Sequence, residues 1–118
     1  MLQLELLVEA LESVCLEEGL AVIATTPEGR IRHWSRGAAE VYGYPCGHTL
    51  DEPVTMLAAP TGFGQLVDMI AAARAGAPTV AEPTAHLRAD GVRIPVRLNV
   101  GSEPGEGLIL TARRCVAS

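Results

Sequence analysis

Three groups of residues carry side chains that could take part in chemistry. Cys46 and His48 lie two positions apart and have the sulfur and nitrogen atoms that bind Zn²⁺. Asp51 and Glu52 are adjacent carboxylates, the type of side chain that serves in general acid–base catalysis. Ser35 lies between a predicted strand and a predicted helix, where some hydrolases place their nucleophile. Each of these chemistries, however, needs further residues at defined spacings.

The sequence lacks those further residues. A zinc site usually takes four ligands, and no second ligand pair accompanies Cys46 and His48, so we expect no metal site. The acidic pair lies beside Pro53, which favours a solvated turn. Ser35 lies outside any G-x-S-x-G motif, so we predict that its hydroxyl caps the following helix. No phosphate-binding glycine loop is present, and we expect no enzymatic activity.

Composition and charge narrow the class of protein. The 118 residues fit one domain, and their net charge of −5 argues against direct contact with nucleic acid. The segment MLQLELLVEALESV has no basic region and carries glutamates, so it is not a signal peptide. No run is apolar enough to span a bilayer, and we expect no membrane partner. Three widely spaced cysteines without a C-x-x-C pair suggest reduced thiols and a cytoplasmic protein.

Residues 3–18 are predicted to form an amphipathic helix, so that 1–18 is a flanking helix and 19–115 the domain. One face of this helix is apolar, and it consists of Leu4, Leu7, Val8, Leu11, Val14 and Cys15. Such a stripe must be covered, either by its own domain or by the same helix of a second copy. We give both alternatives equal weight, and name this face as the predicted interface of a homodimer.

A hairpin is predicted next in the chain. Residues 20–26, LAVIATT, are a continuous apolar run typical of a buried strand. Thr26-Pro27-Glu28-Gly29 has proline and glycine at the positions that a type I turn favours. Residues 30–34 are therefore the returning strand, and they end at the cap Ser35.

Helices occupy the middle of the chain. Residues 36–42 fit two helical turns, and 63–75, FGQLVDMIAAARA, fit a longer helix with one apolar face. Between them the sequence is rich in proline and glycine, and predicts only brief helical turns near 46–49 and 52–58.

Strands fill the last third. Asp90-Gly91 is a hairpin signal, and apolar residues alternate strictly with polar ones or proline from 92 to 100. Pro83 suits an edge strand, where its missing N–H costs nothing. Residues 101–107 are predicted to be a loop before a final strand, 108–114. The order of elements predicts an α+β fold, with one antiparallel sheet and its helices on one face.

The residues GLAVIATTPEGRIRHWSRGAAEVYGY, then ARAGAP, then RADGVRIPVRLNV resemble a PAS domain, the sensory module of many bacterial signalling proteins. The resemblance covers about Glu17 to Arg114. It implies a five-stranded antiparallel sheet with the first and last strands in the centre. It also implies that the strand before Asp90-Gly91 is at an edge, and that helices cover a concave face to form a small-molecule pocket.

The resemblance, together with the apolar face of each predicted helix and strand, suggests which residues line that pocket. The candidates are Ile23, Val41, Met56, Leu57, Leu66, Met69, Ile70, Leu98 and Leu110. A lining of this kind favours a small apolar ligand. The predicted function is thus a sensory or regulatory module that binds such a ligand or mediates homodimerisation. The alternative is a ligand-free dimerisation scaffold with a solid core.

The sequence disfavours two cofactors that PAS domains bind, haem and photoactive flavin, and does not identify any other. Haem-binding relatives usually carry a histidine on the longer helix, and 63–75 has none. Photosensing flavin relatives carry an adduct-forming cysteine in N-C-R-F-L-Q, whereas the corresponding residues 50–64 contain no cysteine. His33, His48 and His86 are expected to be surface or half-buried histidines.

Overall fold

The computed structural model describes residues 20–45, 47–77, 81–103 and 107–115. The predicted N-terminal helix lies outside the described residues, and so does its apolar face of Leu4, Leu7, Val8, Leu11, Val14 and Cys15. Cys46 also lies outside them. The homodimer therefore stays a prediction.

Five strands form one antiparallel sheet, as predicted. The elements in chain order are β1 (Leu20–Thr25), β2 (Ile31–Trp34), helix α1 (Arg36–Tyr42), 3-10 helices η1 (Val54–Leu57) and η2 (Pro60–Gly62), helix α2 (Phe63–Arg74), β3 (Glu82–Leu87), β4 (Arg93–Glu103) and β5 (Gly107–Arg114). The strand order is β2-β1-β5-β4-β3. The first and last strands thus lie inside the sheet, and the strand with Pro83 is at an edge.

The prediction of a loop over 101–107 is wrong at both ends, since β4 extends to Glu103 and β5 begins at Gly107. β4 continues to Glu103, because Gly101, Ser102 and Glu103 pair with residues of β5. Glycine and serine in this stretch suggested a loop from local preference alone. Cross-strand pairing with β5 overrides that preference.

Ser35 joins the start of α1 to the centre of the sheet. Its hydroxyl oxygen accepts a hydrogen bond from the Ala38 N–H at 3.0 Å, which is the predicted helix cap. The same oxygen accepts a second bond, from the Val22 N–H of β1 at 2.9 Å. In return, the Ser35 N–H donates to the Val22 carbonyl at 3.1 Å. This buried serine therefore fixes the angle at which the chain leaves β2 for α1.

The close approach of α1 to β1 depends on Gly37. A Cβ atom at this position would lie 1.7 Å from the backbone oxygen of Leu20. Only a residue without a side chain fits such a contact, because the obstructing atom belongs to the backbone and cannot rotate away.

Residues 51–59 cross the inner face of the sheet from one edge strand to the other, and we call them the crossing segment. At the β2 edge, the Ile31 N–H donates to the Glu52 carbonyl at 2.9 Å. At the β3 edge, the Ala59 N–H donates to the Ala85 carbonyl at 3.0 Å. Both outer strands thus pair with further backbone instead of ending at solvent.

Apolar side chains lie on both faces of the sheet. The main core lies between the inner face, the helices and the crossing segment. A smaller cluster of Val22, Ala24 and Ile109 lies on the outer face of β1 and β5. Within the described ranges, no helix is both long enough and apolar enough to cross a membrane.

Gly37→Ala should lower the free energy of unfolding by at least about 3 kcal/mol, because the new methyl group overlaps fixed backbone. Gly64→Ala is the matched control, since it places the same methyl group in α2 where no atom lies within 4 Å. That variant should be more stable than wild type by about 0.5 to 1 kcal/mol. Urea unfolding measures both, and equal effects of the two substitutions would contradict the close contact.

Candidate functional site

The nine predicted ligand-site residues lie together between the sheet and the helices. Eight of them are buried in one cluster: Ile23, Val41, Leu57, Leu66, Met69, Ile70, Leu98 and Leu110. Met56 is half-buried and packs against the same cluster. They come from β1, α1, η1, α2, β4 and β5. The structure therefore brings the candidates together, while their contact with a ligand stays a prediction.

The inner face of β3 differs from this apolar surface. Thr84 lies opposite Val96, and His86 lies opposite Ile94, so both side chains share the face that Val96 and Ile94 turn to the core. Both are buried. An edge strand thus places two polar side chains where the neighbouring strand places aliphatic ones.

His86 is paired with Tyr42, the last residue of α1. The Tyr42 hydroxyl lies 2.6 Å from Nδ1 of His86, within the core. The two ring centroids are 5.6 Å apart with a tilt of 33°. Trp34 also packs against Tyr42, with a centroid distance of 5.6 Å, and its Nε1 donates to the Tyr44 carbonyl at 3.0 Å. Trp34 therefore contacts both tyrosines of the chain and links Tyr44 to the Tyr42–His86 pair.

The end of α1 is held in place from the turn after β3. The Arg88 guanidinium donates to the carbonyls of Val41 at 2.9 Å and Glu40 at 3.2 Å. The Ala89 N–H donates to the Tyr42 carbonyl at 2.8 Å. A cation and an N–H thus satisfy carbonyls that a helix C-terminus leaves free, and they fix Tyr42 beside β3.

Burial keeps both members of the pair neutral. Loss of hydration raises the pKa of the Tyr42 hydroxyl well above its ordinary value. The same effect lowers the pKa of His86 to about 4. At neutral pH the phenol is therefore protonated and the imidazole uncharged, and one proton lies between them in a short hydrogen bond.

Three buried polar atoms have no hydrogen-bond partner within the described residues. They are Nε2 of His86, Oγ1 of Thr84 and Oγ1 of Thr49. Folded proteins pair the great majority of such atoms, because an unpaired one has lost its hydration without replacement. Two of the three lie on the inner face of β3, beside the apolar cluster.

The outer edge of β3 is closed by backbone. Ala58 forms an antiparallel bridge with His86, next to the bond between Ala59 and Ala85. Gly62 packs so closely that a Cβ atom there would lie 2.7 Å from the Ala85 carbonyl oxygen and 2.9 Å from Oγ1 of Thr84. The polar atoms of β3 are therefore enclosed beneath the crossing segment and the start of α2.

The expectation that His86 is a surface or half-buried histidine is wrong. Its exposed fraction is 0%, whereas His48 is exposed and His33 is half-buried. In the sequence EPTAHL, apolar Ala85 and Leu87 suggest that these two side chains face the core and that Thr84 and His86 point outward. The signal that could have found the site is the pairing with β4, whose alternation fixes which residues of β3 face the core.

The other candidate chemical groups are dispersed. Asp51 and Glu52 are exposed in a turn, and Ser35 is occupied by its two N–H donors. Across the described ranges, no three His, Cys, Asp or Glu side chains come together as metal ligands.

Solved structures with the same fold include several sensory domains. The PAS domain of a protein from Colwellia psychrerythraea has a TM-score of 0.76 and 20% identity, covering 95% of this chain and 96% of its own. The RpfR quorum-sensing receptor PAS domain from Cronobacter turicensis, in complex with C12:0, has a TM-score of 0.70 and 11% identity over 85% of this chain and 97% of its own. The blue-light activated histidine kinase EL346 from Erythrobacter litoralis has a TM-score of 0.67 and 17% identity over 84% of this chain and 33% of the kinase. No protein-family model and no curated protein matches the sequence.

The buried histidine should make stability fall in mild acid. Because its pKa is lower in the folded state than the ordinary 6.5, the unfolded chain binds the proton more tightly. The free energy of unfolding should therefore be unaffected by this group above pH 6.5. It should fall by about 3 kcal/mol as the pH drops from 6.5 to 4. In urea unfolding, His86→Gln should lack this part of the pH dependence, and the exposed-site control His48→Gln should keep it. Equal pH dependence in both variants would contradict a neutral buried imidazole.

Proposed function

The chain has the PAS fold, and from that premise we propose that it is a sensory or regulatory module that binds a small, largely apolar ligand. The ligand would lie between the inner face of the sheet, α2 and the crossing segment. The observation that supports this is the single apolar cluster in which the nine candidate residues meet. A similar domain, that of RpfR, is known in complex with C12:0 and with BDSF.

Signalling would then consist of a shift between two packings of the helices against the sheet. A ligand can shift such an equilibrium only by as much as it prefers one packing over the other. In this proposal α1 and the crossing segment report the shift, because Ser35, which caps α1, and the backbone of the crossing segment are hydrogen-bonded directly to sheet strands. Blue-light photochemistry is not part of the proposal, since residues 50–64 lack the cysteine that an adduct requires.

Native mass spectrometry of the purified chain tests the ligand. Under gentle conditions we expect an additional mass that disappears on denaturation. Ala73→Leu should reduce the occupied fraction several-fold, because Ala73 is buried in the cluster and a larger side chain takes up ligand volume. Ala72→Leu makes the same change on the exposed side of α2 and should leave the occupancy unchanged.

One outcome would contradict ligand binding. A chain that never carries extra mass, and to which added small apolar compounds do not bind, has a solid core. That result would favour the alternative, a ligand-free dimerisation scaffold.

Homodimerisation through the N-terminal helix is the second proposed function. The outer sheet face carries its own apolar cluster, beside Leu20 at the point where that helix would join β1. A helix with a wide apolar stripe can pack on this face with one side and on a second copy with the other. Such an arrangement would place the helix on β1 and β5 and the dimer contact on the opposite side of the helix.

Leu7→Glu combined with Leu11→Glu should convert the dimer to a monomer, because two carboxylates would be buried in the contact. Glu9→Gln with Glu12→Gln changes the polar side of the same helix and should leave the dimer intact. Sedimentation velocity measures the mass, and circular dichroism confirms that each variant is folded. A dimer that survives the leucine substitutions would place the interface elsewhere.

A further inference from the structure

We propose that the inner face of β3 is the hydrogen-bonding end of the ligand site, where His86 and Thr84 donate to a neutral acceptor oxygen, such as a carbonyl, on an otherwise apolar ligand. This inference rests on the proposed ligand-binding function and adds the chemical class of the ligand. It begins from two side chains that are both more than nine-tenths buried and whose polar atoms have no partner within the described residues.

The hydrogen bond with Tyr42 determines which imidazole nitrogen of His86 carries the proton. If the phenol donates to Nδ1, the single proton of the neutral imidazole is on Nε2. If instead Nδ1 carried the proton, the hydroxyl hydrogen of Tyr42 would also need an acceptor, and the structure gives it only His86. The first arrangement leaves fewer buried atoms unpaired. Nε2 is therefore an N–H donor without an acceptor, directed away from Tyr42.

Thr84 adds a second donor on the same face. Residues two apart in a strand point to the same side, so its hydroxyl and Nε2 of His86 face the core in one row. The hydroxyl lies against Gly62 at the beginning of α2, and His86 pairs with Ala58 of the crossing segment. An acceptor placed here would remain in contact with the apolar cluster, which includes Leu57 and Leu66.

The absence of charge selects the kind of acceptor. Among the side chains that the structure describes, which exclude that of Glu103, no Asp, Glu or Arg is buried, and the His86 imidazole is neutral. A carboxylate or phosphate would lose its hydration here without meeting a cation. A neutral carbonyl has the lone pairs that both donors need and loses much less hydration, so the row selects uncharged, carbonyl-bearing ligands.

Acetophenone and ethylbenzene are suitable probes, because they share an aromatic body of similar size and only acetophenone has an acceptor oxygen. We expect acetophenone to bind the full chain about tenfold more tightly, as one hydrogen bond in a buried site allows. In spectra of the ¹⁵N-histidine-labelled protein, the His86 Nε2 resonance should show an N–H in the free protein. It should move with acetophenone and stay in place with ethylbenzene.

Substitutions assign the preference to the two side chains. Thr84→Val keeps the shape and removes the hydroxyl, and should reduce the acetophenone preference about threefold; Thr111→Val, on the outer face of β5, should not. The double variant Tyr42→Phe, His86→Phe removes the donor together with its partner, so that no orphaned hydroxyl remains, and should abolish most of the preference. Thr84→Val supplies the test if the double variant fails to fold.

The outcomes separate this inference from the function on which it rests. Equal affinity for both probes, with no movement of the His86 resonance, overturns the acceptor site and leaves ligand binding intact. Failure of both probes to bind wild type overturns the proposed function as well. A free protein whose imidazole carries its proton on Nδ1 overturns the donor assignment.

Discussion

Backbone hydrogen bonds at both edges of the sheet hold the crossing segment in place, and the rest of the candidate site depends on this constraint. The segment is bonded to Ile31 on one edge and to Ala85 on the other, so its position over the inner face is fixed at two distant points. Its larger buried side chains, Val54 and Leu57, then close the core from the side opposite the sheet. The distance between the crossing segment and the sheet is set by backbone hydrogen bonds, and backbone cannot adjust by changing rotamers.

Much of the fold could be predicted because its signals are local. Ser35, Gly43 and Asp90-Gly91 specify a cap, a helix end and a hairpin within a few residues each, and the alternation of β4 specifies which side faces the core. The polar part of the site could not be predicted in this way. Tyr42 and His86 are 44 positions apart, and their contact exists only after α1 and β3 have been placed on the same sheet.

The neutral pair of Tyr42 and His86 lies inside a mostly aliphatic core, where burial of polar atoms costs folding free energy. If stability alone mattered, apolar residues in place of both Tyr42 and His86 would leave neither a buried nitrogen nor a buried hydroxyl unpaired. In the proposed ligand site, the histidine keeps a donor in a region where water competes poorly, and there a hydrogen bond discriminates strongly between similar molecules. In the proposed site, the pair thus trades some folding free energy for chemical selectivity beside the apolar cluster.

The central place of β5 has a consequence for how the chain acquires its structure. Arg113 pairs with Leu20, and Arg97 pairs with Arg113, so the last strand joins the two halves of the sheet. During synthesis, β1 and β4 leave the ribosome before the strand that lies between them. Until residues 107–114 follow, both strands keep unpaired backbone along one side. The topology therefore predicts that the β1–β5 pairing, the one strand pairing that is distant in sequence, forms late, and that a chain truncated before β5 cannot complete its sheet.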